Sequence, residues 1–224
     1  MASILNIDTA TETASICISF DGYVSNVIKN DVQKEHASFV HLGIKLLLSN
    51  AGHSLKDIDA VAITAGPGSY TGLRVGMATA KGLCYVLKKP LIAINTLEVM
   101  AMAAIDSAED KNALFCPMID ARRMEVFTAI YSKVLQNFLP PQALTLTAET
   151  FDEWLNDKKM YFSGNGSTKF AQIAKHGNAL FLDVQHSAEH LAKLSFSAYN
   201  RKQFADLAYV EPAYLKEFYF MAKQ

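Results

Sequence analysis

An Ile-Asp pair closes an opening β-rich run twice in this chain, at Ile7-Asp8 and at Ile119-Asp120, 112 residues apart, half of the 224-residue length. Around the first pair, "SILNIDTA" and "TASICISF" read as a hairpin and "YVSNVIKN" as a third strand. A helical period over 33–52, with Val40, Ile44, Leu47 and Leu48 on one face, stops near Gly52. "DAVAIT" is a buried strand, 71–89 a helix, "PLIAIN" a strand, and "NTLEVMAMAAI" a helix with Asn95 as N-cap and Glu98 placed to close a capping box. The first hundred residues therefore run βββαβαβα. The order then begins again. "ALFCPMID" and "EVFTAIYS" form a hairpin, "ALTL" a short strand, and 147–155 a helix. "KMYFSGNG" is a strand, 167–177 a helix, "NALFLDV" a strand and 187–204 a long amphipathic helix. An extended tail follows, where Pro212 argues against helix. The repetition restricts the chain to an α/β fold of two related lobes, with subdomains expected at 1–105 and 106–224 and the final helix and tail free to pack back on the first.

The charge balance is even, 21 Lys+Arg against 22 Asp+Glu, so no global field draws nucleic acid. Any contact with RNA then needs a local patch or a partner. No apolar run reaches the ~18–20 residues that span a bilayer. The opening "MASILNIDTATE" lacks a basic segment, so no secretory signal is expected and the chain reads as cytoplasmic. Cys17, Cys84 and Cys116 are isolated and odd in number, which suggests buried thiols in a reducing compartment.

The glycine-rich "AGPGSYTGLRVG", 65–76, resembles a phosphate cradle at first sight. It fails the templates. A Walker loop needs a Lys-Ser/Thr pair after its last glycine, and the dinucleotide fingerprint needs GxGxxG where this loop has GxGxxxG. Pro67 also lacks the N–H that a phosphate nest would use. Gly72, Gly76 and Ala80 lie four apart on one helix face. Such a stripe admits a closely approaching helix, either the preceding one of this chain or one of a second chain. The better phosphate candidate is the turn "DTATET", where Asp8, Thr9 and Thr11 can direct hydroxyl and N–H groups at a phosphate with Asp8 near a metal or water. Alone, a D-x-x-T turn reads as an ordinary polar hairpin.

A βββαβα half carrying a DTAT hairpin, repeated once, resembles the actin/Hsp70/sugar-kinase (ASKHA) superfamily of two-lobed ATP-binding folds. "IDTATE", Glu35-His36, "GPGSYTGLRVG", the "IDARRMEVF" hairpin and the late "VEPAYL" together are similar to the TsaB (YeaZ) branch of the glycoprotease-like family. That branch is the non-catalytic partner in making N6-threonylcarbamoyladenosine in tRNA. The likeness is most specific over 65–76 and 118–127. It implies a scaffold that dimerises with the catalytic paralogue TsaD, is joined by the ATPase TsaE, reaches tRNA through TsaD, and forms a homodimer when alone. It further implies an interface on helices 34–50 and 71–88, for which the expected contacts are His36, Phe39, Val40, Gly43, Tyr70, Gly72, Arg74, Gly76, Met77 and Ala80.

The departures matter as much. TsaD binds a metal through an HxxxH helix; those positions here hold Thr96 and Met100. His36 and His41 are five apart and diverge around a helix. His186 and His190 read as a solvated helix start. Ala121-Arg122-Arg123-Met124 stands where an ATP-binding relative has glycines; those side chains are expected either to crowd the cleft or, for the two arginines, to contact an acidic partner or tRNA. No catalytic residue, no metal and no tightly held cofactor are therefore expected, with ATP or ADP confined to a junction with TsaD. Two other readings exist. An ATP-dependent small-molecule kinase of this fold needs open phosphate turns, and a glycoprotease-like metallopeptidase needs a metal site.

Overall fold

The computed structural model describes residues 1–32 and 36–216; Lys34 and Glu35, the first two residues of the expected 34–50 helix, lie outside that range. The first sheet is built from β1 (Ser3–Asp8), β2 (Ala14–Phe20), β3 (Tyr23–Asn30), β4 (Ala60–Thr64) and β5 (Leu91–Ile94), in the order β3-β2-β1-β4-β5. The second is built from β6 (Leu114–Asp120), β7 (Glu125–Ser132), β8 (Asn137–Thr145), β9 (Met160–Ser163) and β10 (Ala179–Leu182). Its order, read from the matching edge, is β8-β7-β6-β9-β10, the same arrangement. Each sheet pairs its first three strands antiparallel and adds two parallel ones. The duplicated two-lobed α/β fold is therefore present in its strand order.

Among the described residues, six α-helices cover the sheets: α1 (His36–Ala51), α2 (Tyr70–Leu87), α3 (Thr96–Ser107), α4 (Asp152–Leu155), α5 (Ser167–Ala171) and α6 (Ala188–Asn200). α1 and α2 lie on one face of the first sheet, where Val40, Leu47, Met77 and Cys84 meet Leu5, Ile7, Ile16 and Ile18. α6 lies on the opposite face, with Leu191, Leu194 and Ala198 against Ile4, Ala60, Ala62 and Ile92. α3 leaves its own half and covers the second sheet, placing Leu97, Met100 and Ala101 on Ile119 and Ala129. Aromatic packing of Phe151, Phe162 and Phe170 fills that sheet's far face. Each half thus lends its last helix to the other's sheet. Coverage on both faces explains why β1 and β4 are buried throughout and show no alternation, whereas the edge strand β3 alternates.

Buried polar groups fasten α6 to the first hairpin. Ser195 Oγ donates to Asn6 Oδ1 at 2.6 Å, and Ala188 N donates to Ser15 Oγ at 2.8 Å. The tail runs back over the first lobe: Ala205 N donates to Leu91 O at 2.8 Å, Lys81 Nζ to Val210 O at 3.0 Å and Ala213 N to Ala65 O at 2.6 Å. It laps the open edge of β5, which hides backbone groups that would otherwise invite pairing.

Four expectations from sequence need correction. The short strand at 143–146 is a nine-residue strand that includes Pro140 and Pro141, tolerated because β8 is an edge. The helix at 147–155 shrinks to α4, since Thr150 Oγ1 accepts from Thr147 N at 2.7 Å and holds a turn there. The helix at 167–177 shrinks to α5, whose one large buried side chain is Phe170. Asn95 caps α3 through its side chain, which accepts from Leu97 N, but Glu98 makes no return bond among the described residues.

Candidate functional site

The lobes meet at a cleft of about 510 Å³ lined by Thr11, Thr13, Met100, Asn165, Phe181 and His186, among others. Asp8, at the end of β1, sits beneath it with no exposed surface. Thr64 Oγ1 and Ala10 N both donate to Asp8 Oδ1, at 2.8 and 3.1 Å. Asp8 Oδ2 has no hydrogen-bond donor among the described residues; His186 Nε2 lies 3.3 Å from it. His186 belongs to the segment that enters α6, and its side chain is 7% exposed. It also lies 3.5 Å from Thr11 Oγ1. The reading of His186 and His190 as a solvated helix start is overturned. One is a buried partner for a carboxylate 178 residues away, and the other completes a capping box with Ser187.

The phosphate-type turn is consequently spoken for. Thr9 is fully buried and its hydroxyl donates to Gly72 O at 2.8 Å, latching the start of α2. Thr11 O accepts from His36 Nε2 at 3.1 Å. Burial holds the His36 imidazole below its ordinary pKa, and its Nδ1 has no hydrogen-bond partner among the described residues. Of Asp8, Thr9 and Thr11, only Thr11 reaches the cleft. Asp8 and Thr9 lie behind the cleft lining, with the Thr9 hydroxyl engaged by Gly72 O and Asp8 Oδ1 by Thr64 and Ala10.

The glycine loop explains itself here. Ser69 N donates to Ala10 O at 2.7 Å, and Ser69 Oγ caps α2. A Cβ at Gly72 would collide with the Thr9 carbonyl, and one at Gly76 with the Thr9 hydroxyl. The small-residue stripe therefore faces this chain's own β1–β2 hairpin, and not a helix of either origin. Of the expected contact set, His36, Val40, Gly43, Gly72, Gly76, Met77 and Ala80 are buried within the chain. Phe39 is half-buried, while Tyr70 and Arg74 are exposed, the Arg74 guanidinium lying 4.6 Å over the Tyr70 ring. What α1 and α2 present to solvent is different: Leu42 and Leu46 on one, Tyr85 and Val86 on the other, with Leu42 59% and Tyr85 77% exposed. Sequence spacing contained these residues as the opposite face of each helix.

The second hairpin tip is stiff and basic. Arg122 and Arg123 have φ of 70° and 49°. Non-glycine residues held there cost about 1 kcal/mol or more each. Arg122 N donates to Asp120 Oδ1 at 2.6 Å and Asp120 N donates to Asn165 Oδ1 at 2.9 Å, so the loop is tied to the β9–α5 turn. The arginines are exposed and do not line the cleft, so of the two expectations crowding does not hold. His186 closes it instead.

Thr96 and Met100, at the positions of the paralogue's histidines, have other duties. Thr96 Oγ1 accepts from Gly66 N at 3.1 Å, and the Met100 methyl packs on Gly164. Among the described residues no group of three His, Cys, Asp or Glu stands close enough to hold a metal ion. No described helix is long and apolar enough to cross a membrane. All three cysteines are free and buried, and burial raises each thiol, Cys84 to about 11 and Cys116 to about 12.

Comparison with known proteins adds a family. The family described as TsaD, tRNA N6-adenosine threonylcarbamoyltransferase, matches residues 22–223. The chain is 28% identical to the tRNA threonylcarbamoyladenosine biosynthesis protein TsaB of Haemophilus influenzae, over 96% of this chain and 93% of the relative. It is 27% identical to the TsaB of Bacillus subtilis, over 96% and 94%. Against the solved structure of YeaZ from Pseudomonas aeruginosa the TM-score is 0.84 at 25% identity, covering 96% of this chain and all of that one.

Proposed function

The chain belongs to the TsaD, tRNA N6-adenosine threonylcarbamoyltransferase, family, and from that premise we propose that it is a non-catalytic accessory subunit in the synthesis of threonylcarbamoyladenosine in tRNA. It pairs with TsaD in the cytoplasm, and TsaE joins the pair. The observation that carries this reading is the likeness, along almost the whole chain, to proteins named TsaB. Three features of the site agree with it. Thr96 and Met100 replace the paralogue's metal-binding histidines and are engaged in packing. Thr9 latches α2. His186 stands against Asp8 where a phosphate turn would be open. The chain alone then holds no nucleotide tightly, and ATP or ADP is held at the junction with TsaD.

The partner surface proposed is the solvent face of α1 and α2, centred on Leu42, Leu46, Arg74 and Tyr85, where large apolar side chains stand in water. In the absence of TsaD the same face pairs two copies of this chain. Reconstitution tests the function: tRNA modification by TsaD and TsaE is measured with and without this protein. Modification that proceeds equally well without it would sink the accessory role. For the surface, Leu42→Glu with Arg74→Glu changes exposed positions only, and this pair should release TsaD in a pull-down while the circular dichroism spectrum is kept.

A further inference from the structure

We infer that the Arg122-Arg123 tip of the β6–β7 hairpin is a contact for the phosphodiester backbone of RNA; this rests on the accessory-subunit reading above and names a second surface for it. The tip carries two carboxylates as well as two arginines, and each carboxylate is already neutralised from elsewhere. Lys169 Nζ lies 2.6 Å from Asp120 Oδ1, and Lys216 is ion-paired with Glu125. The Lys169 bond, first among its causes, holds the Asp120 carboxyl below the usual range, so it stays charged and occupied. Glu12 also reaches this corner, accepting from the Asn165 amide at 3.3 Å. Among the described residues neither arginine has an ion pair or a side-chain hydrogen bond, so the loop presents two unshared guanidinium groups.

The geometry suits phosphate. Guanidinium forks match phosphate oxygens two at a time, and exposed lysines do so less well. The loop is pre-organised: Ala121 N donates to Glu125 O, Glu125 N to Arg122 O, and Leu146 N to Met124 O at 2.7 Å. Two successive positive-φ arginines are a poor choice for a turn that only has to turn, because asparagine and glycine adopt that backbone more readily. A net charge near zero gives the chain no general pull on RNA, so a local unshared cation pair is the form such a contact must take.

The test is fluorescence anisotropy of an unmodified tRNA transcript titrated, over a series of salt concentrations, with this chain assembled with TsaD. Replacing both arginines by glutamine should weaken binding about tenfold and reduce the slope of log affinity against log salt by about 1.5. Lysine at both positions should restore most of the slope. Arg122→Asn with Arg123→Gly should melt at or above the parent temperature and still lose RNA affinity. A fall in melting temperature for that variant would mean the arginines serve the fold, and would overturn the inference. Unchanged affinity and slope in the glutamine variant would overturn it too. So would loss of TsaD or TsaE binding with RNA binding kept, since the tip would then dock an acidic protein surface. If modification still depends on the chain in those cases, the accessory reading stands; a chain that never associates with TsaD defeats both.

Discussion

The Nε2 of His186 lies 3.3 Å from the Oδ2 of Asp8, joining the segment that enters α6 to the end of β1 inside the protein. Asp8 is fully buried and its other oxygen is already satisfied, so the imidazole is its remaining partner among the described residues. A buried charge left without a partner is expensive. His186→Ala should therefore destabilise the fold by about 3 kcal/mol, read as a lower urea midpoint with an unchanged slope. Asp8→Asn combined with His186→Ala should recover part of that loss. A single His186 variant within about 0.5 kcal/mol of the parent would show that the pair does not hold the lobe's edge.

Two glycines of α2 should respond to the same substitution with opposite signs. Gly76 faces the Thr9 hydroxyl and Ile63, and a methyl there has no room. Gly76→Ala should cost about 1–3 kcal/mol. Gly82 faces open space, with no atom within 4 Å of the point where an alanine methyl would stand. Gly82→Ala should raise stability by up to about 1 kcal/mol through helix propensity alone. Thermal melts of the two variants decide the matter, and a gain at Gly76 would refute the packing described for the stripe. A Gly82→Ala chain that folds better yet binds TsaD less well would show that a partner approaches closely at that point.

These contrasts mark what is legible in the sequence. The duplication can be read because strand order follows local runs of apolar residues, and β3 and β1 differ in alternation as edge and centre must. The spacing of Gly72, Gly76 and Ala80 announces a close approach, but spacing on a helix does not say which neighbour comes close. The neighbour is Thr9, 63 residues earlier than Gly72. The approach of His186 to Asp8 has no local signature at all, since it brings together residues from opposite halves through the exchange of α6. For Arg122 and Arg123 the sequence leaves two outcomes, crowding the cleft or meeting an acidic partner or tRNA: their position along the hairpin is plain, whereas their exposure outside the cleft lining is a property of the folded loop.

Acid should weaken the start of α6 in a predictable way. Ser187 N donates to His190 Nδ1 at 3.0 Å, so that nitrogen must be unprotonated for the capping box to exist. Burial, the largest cause, holds His190 below its ordinary value, and burial does the same for His36. The unfolded chain takes up protons on both rings as pH falls below about 6.5, while the folded chain resists. Stability is thus fully present above the unfolded value and is lost as pH drops toward the depressed folded values. Urea midpoints measured between about pH 7.5 and pH 5 should fall by an amount that two resisted protonations set. His190→Gln keeps an acceptor at the same capping position and cannot take a proton in this range, so its curve should be flatter than the parent's. A variant whose midpoint falls as steeply as the parent's would place the acid sensitivity elsewhere in the protein.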